Sequence, residues 1–353
     1  MTARAVLASA PLAGMAALVL HGALVACGWA RRGRRTRRDA LLADRARGDL
    51  LAAAMDDAGS AAAMQRLVRL RRSQWAAVEP VLLAMLGKLR GDARARLVQL
   101  FVDRDAVATA MQDLASEHPD LRGRAAARLG VLGWRDAVPA LCRLLVDADQ
   151  EVRRSAVAAL GDIGDPAAAE PLLSRVGRRR PLPTLEVVRA VARLGLGAQP
   201  SLATAVTHRD PRVRATAVEI IGVLGAISLA RPVIRLLDHD GDLDVRVRAA
   251  GALGRLGTPS GRGPLLAATA AHEPEHLRAV ACRALGELGA VEAVPHLTEL
   301  LSDAAQPVSY NAAEALIRIG DAGIVALAEA TEGWHGPHAA VQAREVLMTR
   351  APR

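Results

Sequence analysis

Aromatic side chains are nearly missing from this chain of 353 residues: one Tyr, one Phe and four Trp make up 2% of it. A surface that holds nucleic acid by stacking bases needs more than that. Lysine is scarcer still, because every basic residue except Lys88 is Arg. Three cysteines, Cys27, Cys142 and Cys282, are too few for a disulfide scaffold and too far apart for a C-x-x-C metal or redox site. No G-x-x-x-x-G-K-[ST] phosphate loop and no G-x-S-x-G nucleophile elbow occurs. Polar low-complexity runs are absent too, and a hydrophobic content of 51% excludes general disorder.

The net charge of +9 is unevenly spread. Residues 31–48 hold eight Arg against Asp39 and Asp44, and Arg4 adds one more charge, which leaves +2 for residues 49–353. The body of the chain therefore lacks the basic track of a phosphate-binding protein, and no nucleic acid is expected as a partner.

Residues 5–30 contain no Asp, Glu, Lys or Arg. As a helix they would extend roughly 39 Å, more than the ~30 Å of a bilayer core. Arg31, Arg32, Arg34, Arg35, Arg37 and Arg38 follow at once, with Trp29 at the boundary. Positive charge after the apolar stretch marks an uncleaved signal anchor whose carboxy-terminal flank stays in the cytoplasm. Two other readings stay open: Leu24-Val25-Ala26-Cys27 resembles a bacterial lipoprotein box, which would lipidate Cys27, and the stretch could be a buried helix. The anchor reading makes 5–30 a transmembrane helix, 31–38 a basic flank drawn to anionic headgroups, 39–90 a helical connector and 91–353 a repeat array.

The repeat is visible as an apolar-Arg pair followed eight residues later by Gly. The copies are Leu121-Arg122 with Gly130, Val152-Arg153 with Gly161, Val188-Arg189 with Gly197, Val213-Arg214 with Gly222, Val245-Arg246 with Gly254 and Leu277-Arg278 with Gly286. A seventh copy carries Ile317 at the glycine position, and the successive intervals are 31, 36, 25, 32, 32 and 31 residues. Pro139, Pro171, Pro232, Pro264 and Pro295 follow nine or ten residues behind five of the glycines. This is the pattern of a helical hairpin. Aspartates (Asp149, Asp210, Asp240, Asp303) cap the first helix, Gly closes it, and Pro sits in the first turn of the second. The 36-then-25 spacing reads as an extended basic insert at Arg178-Arg179-Arg180-Pro181-Leu182-Pro183, a solvated loop or a partner contact.

The phrases VRRSAVAALGDIGDPAAAEPLL (152–173) and LRAVACRALGELGAVEAVPHLTELL (277–301) resemble HEAT repeats of the short, bilin-lyase-like type over roughly residues 92–350. The resemblance implies an all-α, right-handed α-solenoid of HEAT-like hairpins with a concave face lined by the second helices. Residues 92–115 read as a degraded first repeat and 338–347 as a capping helix.

Three letter patterns suggest chemistry. His272-Glu273-Pro274-Glu275-His276 matches the zincin H-E-x-x-H, but Pro274 at a repeat boundary puts His272 outside a helix. Asp238 to Asp244 resembles a calcium loop that lacks its final Glu. His335-Gly336-Pro337-His338 could chelate weakly, although Gly and Pro suggest a terminal loop. Deoxyhypusine hydroxylases also resemble the array but carry His-Glu after the repeat's Arg, where this chain has Ala279-Val280, Ala215-Thr216 and Ala190-Val191. The expectation is therefore a protein-binding scaffold at the bacterial inner membrane, with no enzyme activity and no cofactor. Its partner would be another, membrane-associated protein, with Arg143, Arg175, Arg235 and Glu299 on the second helices as contacts. The alternative is an enzyme related to bilin lyases or hydroxylases.

Overall fold

In the computed structural model the described residues are 38, 40–55, 59–177, 182–332 and 336–350. They are helical, with no strand among them, and the chain divides into two compact units at residues 110 and 111. The expected span 5–30 lies outside the described residues, as do Arg31, Arg32, Arg34, Arg35 and Arg37; Arg38 is exposed and helical. Among the described residues no helix is long and apolar enough to cross a membrane.

The first unit contains α1 (40–54), α2 (Ser60–Val68), α3 (Arg72–Leu86) and α4 (Gly91–Asp103), with α5 (Ala106–Asp113) at the division. Leu50, Leu67, Leu82, Leu86, Leu97 and Leu100 form its core. Two of the few aromatics meet here: Trp75 and Phe101 pack edge-on at 5.3 Å. The Arg104 guanidinium lies 4.3 Å over Trp75 and donates to the carbonyls of Leu67 and Leu70 at 3.0 Å and to that of Val68. It thus terminates α2 from a distance.

The second unit is a row of seven hairpins. Their first helices are α6 (Pro119–Leu132), α8 (Gln150–Ile163), α10 (Thr184–Arg193), α12 (Pro211–Leu224), α14 (Leu243–Leu256), α16 (Glu275–Glu287) and α18 (Gln306–Ile319). Their second helices are α7 (Val138–Leu144), α9 (Ala169–Ser174), α11 (Gln199–Ala205), α13 (Ala230–His239), α15 (Arg262–Ala267), α17 (Val294–Glu299) and α19 (Asp321–Ala330); α20 (Pro337–Arg350) packs on the last pair. In α8 the local causes are plain. Asp149 accepts from the Glu151 and Val152 N–H groups, Val152, Ala156, Ala159, Leu160 and Ile163 are buried, and Gly164 at φ +72° ends the helix.

The repeat glycines have a different task from the one their sequence position suggested. The left-handed closing residue is the glycine three positions later, and the series Gly133, Gly164, Gly195, Gly225, Gly257, Gly289, Gly320 runs without a gap. Gly130, Gly161, Gly222, Gly254 and Gly286 lie inside their helices against the next first helix. A methyl at Gly130 would sit 2.6 Å from Ala159 Cα, and one at Gly286 equally close to Ala315 Cα. Gly161 faces Ala190 in the same way. That contact places Ala192, two residues further on, at the repeat position of the third hairpin, and Gly197 falls in the turn after α10. The intervals then become 31, 31, 30, 32, 32 and 31. Hairpin 3 therefore contains no insertion, and the irregular spacing came from taking Val188-Arg189 as its pair. Its true arginine position is Thr184. Residues 178–181 of the expected insert lie outside the described residues.

At four of the repeat positions the arginine, Arg122, Arg214, Arg246 or Arg278, reaches a carboxylate in the next hairpin. Arg122 donates through Nη1 to the carbonyls of Ser116 and Glu117 in its own turn, and through Nε and Nη2 to both Asp147 oxygens at 2.8 Å in the next. Arg214 repeats this on His208, Arg209 and Asp240, Arg246 reaches Glu273 at 2.6 Å, and Arg278 holds Asp303. The clamped aspartates in turn accept backbone N–H groups of Asp149, Asp242 and Ala305. Two aspartate positions were therefore merged in the sequence pattern: Asp149, Asp210 and Asp242 cap helices, whereas Asp147, Asp240 and Asp303 hold arginines. Burial alone would raise the Asp147 and Asp240 carboxyls, but the arginine hydrogen bonds, the backbone N–H and the arginine charges outweigh it, and both end below the usual range. Glu273 is lowered chiefly by its bond to Arg246.

Two measurements check this frame. Gly286→Ala should cost about 1–3 kcal/mol in urea unfolding, because backbone must move to admit the methyl, whereas Gly263→Ala, in open space, should leave stability nearly unchanged. The lowered carboxyls mean that the native chain binds fewer protons than the unfolded chain in acid. Stability should therefore hold above the ordinary carboxyl range of about 4 and fall as pH drops through the native values. Asp240→Asn should flatten that fall; an unchanged slope would mean that the pair contributes nothing.

Candidate functional site

Hairpin 3 is the internal hairpin where the clamp lapses; the last hairpin, with Ser309 at the arginine position, lacks it as well. Thr184 replaces the arginine, Ala192 replaces the packed glycine, and His208 stands where the next turn would carry the carboxylate, its Nδ1 accepting from Asp210 N–H at 3.0 Å. One junction earlier, Arg153 keeps its bonds to the Asp147 and Ala148 carbonyls, but the matching acidic position in sequence is Arg178.

A groove opens over the first helices at this place. One section of about 380 Å³ is lined by α8 and α10 residues that include Glu151, Arg154, Ala158, Glu186, Arg189 and Arg193. A larger one of about 730 Å³ shares Arg189 and Arg193 and adds Thr184, Leu185, Val188, Ala192, Glu219, Val223 and Arg248. A third of about 350 Å³ shares Thr184 and Arg248 and extends to Gly177, Leu182 and Arg212. The shared residues make the three continuous along α8, α10, α12 and α14. Leu185 and Val223 are 59% and 52% exposed within it. Sequence reading missed them, because an apolar residue in an amphipathic helix reads as core unless its exact place on the helix circumference is known. The gapless glycine series that ends each first helix held that information.

The second-helix candidates lie elsewhere. Arg143, Arg235 and Glu299 each occupy the sixth position of α7, α13 and α17 and are exposed. Arg175 falls one position later, at the end of α9, half-buried, with a buried Nε that has no hydrogen-bond partner. Ser174, Thr204 and Ala267 hold the shared position in the intervening hairpins, so the four residues do not form one continuous row. Arg235 lines a separate hollow of about 290 Å³ with Thr207, Pro232 and His239.

The metal-like patterns resolve into frame elements. α16 begins at Glu275, His272 is 81% exposed in the preceding turn, and Glu273 is engaged by Arg246. Asp240 holds Arg214 and Asp242 caps α14, which accounts for the calcium-like loop. Among the described residues no group of three or more His, Cys, Asp or Glu is placed to hold a metal ion. His335 lies outside them. With the register corrected, the pair after the third repeat position is Leu185-Glu186 rather than Ala190-Val191, again without His. Thr269, His296 and Glu299 form a chain that looks like a nucleophile, base and acid, with Thr269 Oγ1 to His296 Nε2 at 2.7 Å and His296 Nδ1 to Glu299 at 3.7 Å. The proton count argues otherwise: fully buried Thr269 already donates its hydroxyl to the Leu266 carbonyl, so it accepts from His296.

Comparison with known proteins adds three findings. Residues 107–197, 198–262 and 263–347 match the family profile for HEAT repeats. Bilin biosynthesis protein PecE of Nostoc sp. (strain PCC 7120) is 32% identical over 123 residues, which are 34% of this chain and 49% of that protein; this chain thus spans about half of that relative's length. Among solved structures, an engineered protein covers 86% of this chain and 98% of its own at 18% identity and a TM-score of 0.39. The karyopherin Kap121p bound to the SUMO protease Ulp1p covers 88% and 41% at 15% identity and a TM-score of 0.49.

Proposed function

The chain belongs to the HEAT-repeat family, and from that premise we propose that it is a scaffold that docks a partner protein in the groove centred on α10. The observation that carries the reading is apolar surface placed inside a groove, Leu185 and Val223 beside Val188 and Ala192. Burying two aliphatic side chains of this size against a partner is worth about 1.5–3 kcal/mol each. The polar ends of the groove would fix register. Arg143, Arg235, Glu299 and Arg175 would supply further contacts along the short helices.

The finer form of the proposal places the scaffold at a bacterial inner membrane. Residues 5–30 would hold it in the bilayer, the arginines at 31, 32, 34, 35, 37 and 38 would keep its flank cytoplasmic, and the array would meet a membrane-associated partner. Attachment through a lipidated Cys27 is the rival. The reading assigns the chain no reaction, no cofactor and no nucleic acid. A second reading, a bilin-handling enzyme, rests on the 123-residue likeness to PecE.

A photo-crosslinking residue at position 185 of the full chain, expressed in its own cells, tests the first reading. One protein should be captured at high yield from position 185 and weakly from position 143, and the adduct should stay with membranes through an alkaline carbonate wash. Capture from 143 alone would move the docking face to the short helices; capture from neither would overturn the scaffold. A stoichiometric tetrapyrrole absorption band in the purified chain would instead favour the enzyme.

A further inference from the structure

The charges of the groove are not balanced in use, although they are nearly balanced in number. Every carboxylate on its walls is already occupied. Glu151 and Glu186 hold Arg154, at 3.3 and 2.9 Å. Asp244 holds Arg248 at 2.9 Å, and Glu219 lies 3.2 Å from Arg255 and 3.8 Å from Arg248. Arg193 is spoken for by Asp162. Two guanidinium groups are left over. Arg189, which lines the first and second sections, and Arg212, which lines the third, are exposed and have no carboxylate partner among the described residues.

A basic ligand would have to displace an existing arginine from each acid it used. An acidic one meets free donors, Arg189 beside the apolar residues and Arg212 in the adjoining section, with five-donor planar heads suited to carboxylates. We propose that the segment docked on α10 is acidic as well as apolar: its Asp or Glu side chains meet Arg189 and Arg212 while an aliphatic side chain covers Leu185 and Val223. This rests on the docking reading given above and specifies the chemistry of the partner. The missing arginine at Thr184 is part of the same arrangement. Where hairpins 1, 4, 5 and 6 reach a carboxylate in the next turn, hairpin 3 has no arginine to do so, and Arg189 of α10 and Arg212 of α12 stay exposed.

A displayed library of random peptides about twelve residues long, panned on the immobilised full chain, tests the assignment. The peptides selected should be enriched in Asp and Glu together with aliphatic residues, and their binding should weaken as salt rises through the physiological range. Arg189→Glu with Arg212→Glu should weaken them about tenfold or more, and Leu185→Asp should weaken them as well. Both sites are exposed, and an unchanged thermal midpoint will show that the variants fold. Binders without acidic enrichment, acidic binders that ignore the charge reversal, or no binders would each overturn the proposal. Failure here is separable from failure of the scaffold. A partner crosslinked from position 185 through a neutral or basic segment would leave docking intact and remove only the acidic assignment.

Discussion

One guanidinium serving two turns at once sets the register of the array. Arg122 and Arg214 close their own turns through carbonyls, and Arg246 holds the Leu237 carbonyl. Each of these and Arg278 reaches a carboxylate 25 to 27 residues ahead, so that neighbouring hairpins cannot slide without breaking these bonds. The Gly–Ala contacts beside them remove side-chain bulk, so the first helices meet nearly backbone to backbone. Helices of six or seven residues, such as α9 and α7, would be marginal alone in water. Here they survive because each hairpin lends its neighbours an apolar face, and the stability of the row is shared.

Regularity of that kind makes its exceptions informative. Five hairpins carry both the arginine and the packed glycine; the last departs from both, with Ser309 and Ile317 at those positions. The third is the internal hairpin that departs from both, with Thr184 and Ala192, and the groove is centred on its first helix. Places where a repeated local rule is given up are where function is expected in an otherwise consistent chain. The exposure of Leu185 and Val223, and of Arg189 and Arg212 with no carboxylate partner among the described residues, fits that expectation.

Much of the architecture was legible in the chain. Hairpin periodicity, proline in the second helix and the resemblance of 152–173 and 277–301 to known repeats led to the correct helical array. What failed was register, at one hairpin. Val188-Arg189 and Gly197 imitate the motif by coincidence, and that match hid the Thr184 position; the closing glycines at 133, 164, 195, 225, 257, 289 and 320 carry the true period. The aspartates were recognised as turn residues, but capping and clamping acids lie two positions apart and cannot be separated without knowing which arginine they face. The groove was beyond reach for a different reason. It depends on which apolar residues stay uncovered, and that is a property of neighbours 30 residues away in sequence, not of the local pattern.

Restoring the clamp at hairpin 3 tests the central claim most directly. Thr184→Arg combined with His208→Asp recreates the Arg214–Asp240 arrangement one hairpin earlier. Thermal midpoint and the yield of partner crosslinked from position 223 are then compared with the unaltered chain. A frame held by clamps, with its binding face where they lapse, predicts a higher midpoint and a sharply lower yield. A higher midpoint with undiminished crosslinking would contradict the link between the lapse and the site.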